Sequence, residues 1–197
     1  MSDEHLIQIA GFFLGDGFWL GGRVAFSNTN EDLINHYKKI IFKLGYKSKL
    51  YKRKKIGNRK DEFTLVAEKD FSNKIKEELK RINRTAENLD SAKAFLRGLF
   101  DAEGTVSFSS TRRGREIKIT NTDEEIILLA RICFTKLKIK NTIGIAKGYR
   151  PNRKRCYNIK TYGESSLKFI QKIKPYKIFS KDYLQGKVHP KYLYLFK

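Results

Sequence analysis

Residues 9–17 read Ile-Ala-Gly-Phe-Phe-Leu-Gly-Asp-Gly, and residues 96–104 read Leu-Arg-Gly-Leu-Phe-Asp-Ala-Glu-Gly. The two stretches align position by position, with a small residue third and seventh, an acid eighth and Gly ninth. Working outward, Ser27-Asn28-Thr29-Asn30-Glu31-Asp32-Leu33-Ile34 is echoed by Thr120-Asn121-Thr122-Asp123-Glu124-Glu125-Ile126-Ile127, and Leu44-Gly45-Tyr46-Lys47 by Leu137-Lys138-Ile139-Lys140. The offset grows from 87 (96 − 9) to 93 (120 − 27), so the second copy carries a longer connection around Thr111–Arg115. Three collinear matches identify a tandem duplication. Its join lies near Asn83–Asp90, which divides the chain into units 1–88 and 89–197.

Each unit reads as αββαββα, so an α+β fold is expected: two tandem pseudo-symmetric repeats, each with an antiparallel sheet. An apolar helix (about 5–15 and 91–102) is followed by two short strands, the second near 23–28 and 115–121. Asn30 and Asp123, each followed by two acids, signal the start of an amphipathic helix. Ile34, Tyr37, Ile41 and Leu44 form its inward stripe, as do Ile127, Ala130, Phe134 and Leu137. A second strand pair follows (about 46–54 with 61–68, and 140–149 with 155–162), and helices near 71–82 and 164–173 close the units.

Gly11 and Gly15 lie four apart, as do Gly98 and Ala102, so each pair shares one helix face. Two such faces allow the motif helices to pack closely about a pseudo-two-fold axis. Gly17 and Gly104 then read as left-handed caps. The acids before them, Asp16 and Glu103, sit at the negative end of each helix dipole and are brought beside one another. Like charges a few ångströms apart repel by several kcal/mol at an effective dielectric constant near 20. A divalent cation removes the conflict. Carboxylates, with carbonyl oxygens at helix ends such as those of Gly15 and Ala102, suit Mg²⁺, which keeps water and phosphate in its other positions.

The charge names a partner class. Lys and Arg number 42 against 21 Asp and Glu, a net +21, and the excess is uneven. Residues 1–90 carry 18 basic and 13 acidic side chains (+5), and 91–197 carry 24 and 8 (+16). Such an excess favours a polyanion, whose condensed counterions are released on binding. With 40% apolar and 13% aromatic residues the chain is a folded protein rather than a basic tail. No apolar run approaches a membrane span, and the acidic start Met1-Ser2-Asp3-Glu4 is the reverse of a signal peptide. Two cysteines, Cys133 and Cys156, are too few for a disulfide framework or structural zinc site, so an intracellular, reducing compartment (cytoplasm or organelle) is expected. Three scattered histidines remove most His-based chemistry.

The two motifs, the Ser-Asn-Thr and Thr-Asn-Thr strand ends and the repeat architecture resemble the LAGLIDADG homing endonucleases, in their compact single-chain form. The resemblance implies two sheets forming a DNA-binding saddle around the central helix pair. It implies a monomeric enzyme that makes a metal-dependent double-strand break in a long asymmetric DNA target and leaves short 3′ overhangs. The eighth motif position is that family's metal-binding acid, here Asp16 and Glu103. The sixth, often acidic, is Leu14 and Asp101. Asn28 and Asn121 fall where the family has a polar residue that places the water shell, and helix-start polarity explains them equally well. A basic residue is expected near each centre: Lys181, which follows Pro175-Tyr176, and more weakly Arg84. Mg²⁺ is the implied cofactor, with Mn²⁺ able to substitute and Ca²⁺ expected to bind without cleavage.

Strand alternation then assigns a DNA face. With Leu50 inward, Lys49, Tyr51 and Arg53 point to the major groove of the duplex. With Ile143, Ile145 and Ile159 inward, Lys140, Thr142, Asn158 and Lys160 do the same, and Lys118 joins them from the earlier strand. The basic hairpin tips, 52–60 and 147–155 with Arg150 and Arg153, suit phosphate contacts. The alternatives are an intron RNA maturase on the same fold, with its own intron RNA as partner and with or without residual cleavage, and a non-catalytic regulator. Neither a membrane nor an obligate protein partner is expected.

Overall fold

The computed structural model describes residues 4–55, 57, 60–108, 115–146 and 155–179. Helix α1 (Glu4–Asp16) leads into strands β1 (Gly17–Leu20) and β2 (Arg23–Asn28), then α2 (Glu31–Lys43), β3 (Ser48–Arg53), β4 (Glu62–Ala67) and α3 (Lys69–Lys80). A 3₁₀ segment, Ile82–Glu87, joins this unit to its copy. There α4 (Leu89–Glu103) is followed by β5 (Gly104–Phe108), β6 (Arg115–Asn121), α5 (Glu124–Lys136), β7 (Thr142–Ala146), β8 (Cys156–Tyr162) and α6 (Gly163–Ile173). One short helix, α7 (Tyr176–Phe179), is additional to the repeat. The sheets are antiparallel, ordered β1-β2-β4-β3 and β5-β6-β8-β7. The expected α+β duplication is therefore the observed fold.

Local chemistry sets the element ends. The Asn30 side chain accepts a hydrogen bond from the Leu33 N–H at 3.1 Å, and Asp123 accepts from Glu125 at 2.9 Å, so each amphipathic helix starts where its cap stands. Ile34, Tyr37 and Ile41 are buried beneath the first sheet, and Ile127, Ala130, Phe134 and Leu137 beneath the second. Leu44 is only partly covered, packed at the margin of the first core.

Two apolar cores lie under the two sheets, and the motif helices belong to both. Ile7 of α1 is part of the second core and Ala102 of α4 part of the first. Such sharing needs close approach. A methyl group on Gly11 would overlap the Phe95 carbonyl, and one on Gly98 would overlap the Gln8 carbonyl and the Phe12 nitrogen. The small-residue faces thus meet, as their spacing predicts.

Two expectations are corrected. Gly17 and Gly104 are not left-handed caps: neither has a positive φ, and Gly104 is extended at φ −75°, ψ 147°. Each starts a strand directly, and each must lack a side chain because a Cβ would overlap Phe13 or Phe100 one turn earlier. Ile143 and Ile145 do pair opposite Ile159 and Tyr157 on the core side of the sheet, yet they remain 37% and 55% exposed. Strand β7 is the sheet's edge and overhangs the core, so facing inward there does not mean being covered.

On the opposite face the register lines up corresponding rows. Phe18, Ala25, Val66 and Lys49 are neighbours across the first sheet. Thr105, Lys118, Lys160 and Thr142 take those places in the second. The adjacent rows are Ser27, Thr64, Tyr51 and Thr120, Asn158, Gly144.

Candidate functional site

Helices α1 and α4 end side by side on their acids. Gly15 leaves the space its side chain would fill to Ala102 and to the Glu103 side chain, so the close packing of the helices delivers Glu103 to the end of α1. Burial raises the Glu103 carboxyl to a pKa of about 7, the Asp16 charge pushes the same way, and Lys177 opposes both. Burial also raises Asp16, against a hydrogen bond from Asn28 and the charge of Lys177. Each acid therefore holds its proton more tightly than in water, chiefly because burial strips water from the charged form.

The supports of the two acids differ. Asn28 donates from Nδ2 to Asp16 Oδ2 at 2.6 Å, while its Oδ1 accepts from the Asn30 N–H at 2.9 Å. Asn121 makes the same backbone turn, accepting from the Asp123 N–H at 2.9 Å. Its Nδ2, however, crosses to the Leu14 carbonyl at 3.2 Å. Asn28 thus touches a candidate ligand, whereas Asn121 ties the second sheet to α1.

Beside Glu103 stands Lys177 of α7, a residue the sequence analysis did not single out. Its Nζ donates to the carbonyls of Ala102 at 3.0 Å and Gly104 at 2.9 Å, on either side of Glu103. Its backbone N–H donates to Asp101 Oδ1 at 2.8 Å, and Tyr37 donates its hydroxyl to Asp101 Oδ2 at 3.0 Å. Asp101 is fully buried, which lifts its pKa to about 7 against those hydrogen bonds. The sixth motif acid is thereby a strut that seats Lys177, and an acid on the buried side of a helix was the sequence signal of a donor nearby. The Ala102 carbonyl, proposed as a metal ligand, already accepts from this ammonium. Arg84 belongs elsewhere: it lines a cavity with Ile7 and Ser91 near the starts of the motif helices, not at their acidic ends. Lys181, Arg150 and Arg153 lie outside the described residues.

The donor set suits a hard cation. Among the described residues no cluster of three or more His, Cys, Asp and Glu side chains is present that could cage a metal. Two part-buried carboxylates match Mg²⁺, which binds through one or two carboxylates, water and substrate phosphate.

Of the residues assigned to the sheets' outer face, Lys49, Tyr51 and Arg53 are exposed on one side of β3, with Leu50 turned to the core. Lys118, Lys160 and Thr142 form a row in the second sheet, Lys160 pairing with Glu116 at 3.6 Å. Lys140 is exposed just ahead of that row. In the first hairpin Lys52 and Lys55 are paired with Asp61 and Glu62 at 3.2 and 2.9 Å, which partly neutralises the tip.

A family model described as a LAGLIDADG-like domain matches residues 3–83 and again 90–174. No curated protein sequence matches the chain. Among solved structures, mesophilic variants of the homing endonuclease I-DmoI are similar at 23% identity and TM-score 0.63, over 86% of this chain and 94% of theirs. I-DmoI in complex with DNA and Mn gives 21% and 0.61 over 86% and 96%. The N-terminal LAGLIDADG domain of DUF199/WhiA gives 19% and 0.63 over 88% and 84%. At these identities the likeness is one of fold.

Proposed function

This chain belongs to the LAGLIDADG-like domain family, and from that premise we propose that it is a monomeric, divalent-metal-dependent endonuclease. Its substrate is a long asymmetric DNA duplex, cut on both strands to leave short 3′ overhangs. The observation that carries this reading is the meeting of Asp16 and Glu103 at the adjoining ends of α1 and α4, both with raised pKa values. A structural role alone does not account for two acids set together at the negative ends of two helices, and two broken local rules at one place favour a functional site.

Asp16 and Glu103 would hold the metal, with the Gly15 and Ala102 carbonyls as candidate additional ligands. Bound there, Mg²⁺ or Mn²⁺ supplies polarisation of water and phosphate and charge neutralisation. Asn28 keeps the Asp16 carboxylate oriented through its 2.6 Å hydrogen bond. Lys177 holds a positive charge at Glu103, where charge builds on a phosphate under attack. The outer faces of the two sheets bind the duplex, and their unlike residues make the target asymmetric. Cys133 and Cys156 form no disulfide, in keeping with a reducing intracellular compartment.

The test uses duplex DNA spanning the junction at which the gene's own element inserts. Wild type with Mg²⁺ is expected to cut both strands. Chelation, Asp16→Asn or Glu103→Gln should each lower the rate by at least about a thousandfold, several kcal/mol of transition-state stabilisation. Chelator-resistant cutting would overturn the metal assignment. Tight binding of the intron RNA with no cutting of any junction would replace this reading with the maturase.

A further inference from the structure

Asn158 lies mid-strand in β8, on the sheet's outer face, and is only 6% exposed. No hydrogen bond engages its side-chain amide among the described residues. Amides on a mostly covered residue are ordinarily paired within the protein; this one instead keeps a narrow opening to the cavity above it. Its surroundings explain the vacancy. The residue opposite on β7 is Gly144, and the nearest atoms to a Cβ built there would be Asn158 Oδ1 at 3.2 Å and Nδ2 at 3.7 Å. The amide thus lies across the bare backbone of Gly144. Above it opens a cavity of about 430 Å³, lined by Lys118, Thr120, Thr142 and Lys160 among others.

The corresponding place in the first sheet is built differently. Thr64 stands where Asn158 does, and its hydroxyl is hydrogen-bonded to Ser27 at 2.7 Å. Tyr51, a large exposed side chain, stands where Gly144 does. One repeat therefore satisfies its own polar groups at this position, and the other leaves an acceptor and a donor side by side in a cationic recess.

We propose that Asn158, in the recess opened by Gly144, reads an adenine edge in the half of the target that the second sheet binds. This rests on the reading of the sheets as a DNA-binding face. An amide oxygen and nitrogen together match the N6 donor and N7 acceptor of adenine in the major groove. Lys118 and Lys160 in the next row supply charge for the flanking phosphates without sequence preference. The first sheet has no such reader at its equivalent position, so the adenine is required in one half-site only.

The test is selection of bound duplexes from a randomised pool by wild type in chelator, where no cutting intervenes. The selected sequences should hold one A·T pair in one half that Asn158→Ala releases while the other positions persist. Asn158→Asp, which can only accept, should move the preference at that position to C·G. Replacing the adenine by 7-deazaadenine should weaken wild type roughly tenfold and leave Asn158→Ala unchanged. Matching melting temperatures establish that the variants are folded. An unaltered consensus in both variants, or indifference to 7-deazaadenine, overturns the proposal while DNA binding stands. Failure of wild type to enrich any duplex overturns the DNA-binding reading, and this one falls with it.

Discussion

Asp16 and Glu103 occupy the same place in two copies of one unit, yet their neighbours are different kinds of group. Asp16 is held by an amide from its own repeat, Asn28. Glu103 has no counterpart of that bond, because Asn121 reaches instead to the Leu14 carbonyl. It has an ammonium, Lys177, delivered by a helix that the first repeat lacks. Duplication reproduces where the backbone goes. It does not reproduce the polar groups around each end point, and those act differently on two acids that burial pushes the same way.

The largest expected effect breaks this asymmetry at its source. Lys177→Met removes the cation that opposes burial at Glu103, so the Glu103 pKa rises beyond about 7. Cleavage at pH 7 should fall by about ten- to a hundredfold and recover as pH is raised, with Lys177→Arg restoring part of it. A strand-resolved pH–rate profile checks this, and a drop independent of pH would assign Lys177 a purely structural part.

Next comes the helix pair. Gly98→Ala drives a methyl into the backbone of α1, whereas Gly15→Ala meets the fixed Cβ of Ala102 and the more yielding Glu103 side chain near the helix ends. Denaturant midpoints should show about 2–3 kcal/mol lost for the first and about 1 kcal/mol for the second. Equal losses would mean that the interface is more pliable at its centre than this geometry allows.

A smaller effect is a matter of protons. Glu103 keeps its proton to about pH 7 in the fold, against an ordinary value of 4.5. The folded state thus binds more protons in that window, and the metal-free protein loses stability as pH climbs through it. Glu103→Gln should stabilise the metal-free protein at pH 8 by on the order of 1 kcal/mol, a figure held down by solvent screening of a part-exposed carboxyl, and by almost nothing at pH 4. Thermal melts at the two pH values test it. Added Mg²⁺ should stabilise wild type and not the variant.

The smallest effect concerns the ends of the amphipathic helices. Gly45 and Lys138 are equivalent and both left-handed, at φ +86° and +56°. Only the glycine adopts that conformation without strain. Lys138→Gly should therefore stabilise by about 0.5–1 kcal/mol and Gly45→Lys should cost a similar amount.

Much of this was legible in the chain. The repeat, the caps at Asn30 and Asp123, the buried stripes and the small-residue faces all depend on neighbours within a few residues, and their patterns survive in one dimension. Gly17 and Gly104 were legible as necessary glycines but not for the right reason. What excludes a side chain there is a phenylalanine one turn back, not a left-handed φ. The edge position of β7, which leaves Ile143 and Ile145 exposed, depends on strand order rather than on alternation.

By itself, then, the sequence determined the two copies, their elements and which acids end the motif helices, because periodicity and capping act over a turn or two. Tertiary structure alone decided which cation serves those acids, what buries Asp101 and why Asn158 is left without a partner. Those answers join residues 37, 101 and 177, or 144 and 158. In a chain with 42 lysines and arginines, nothing but packing singles out the one whose ammonium comes to rest at Glu103.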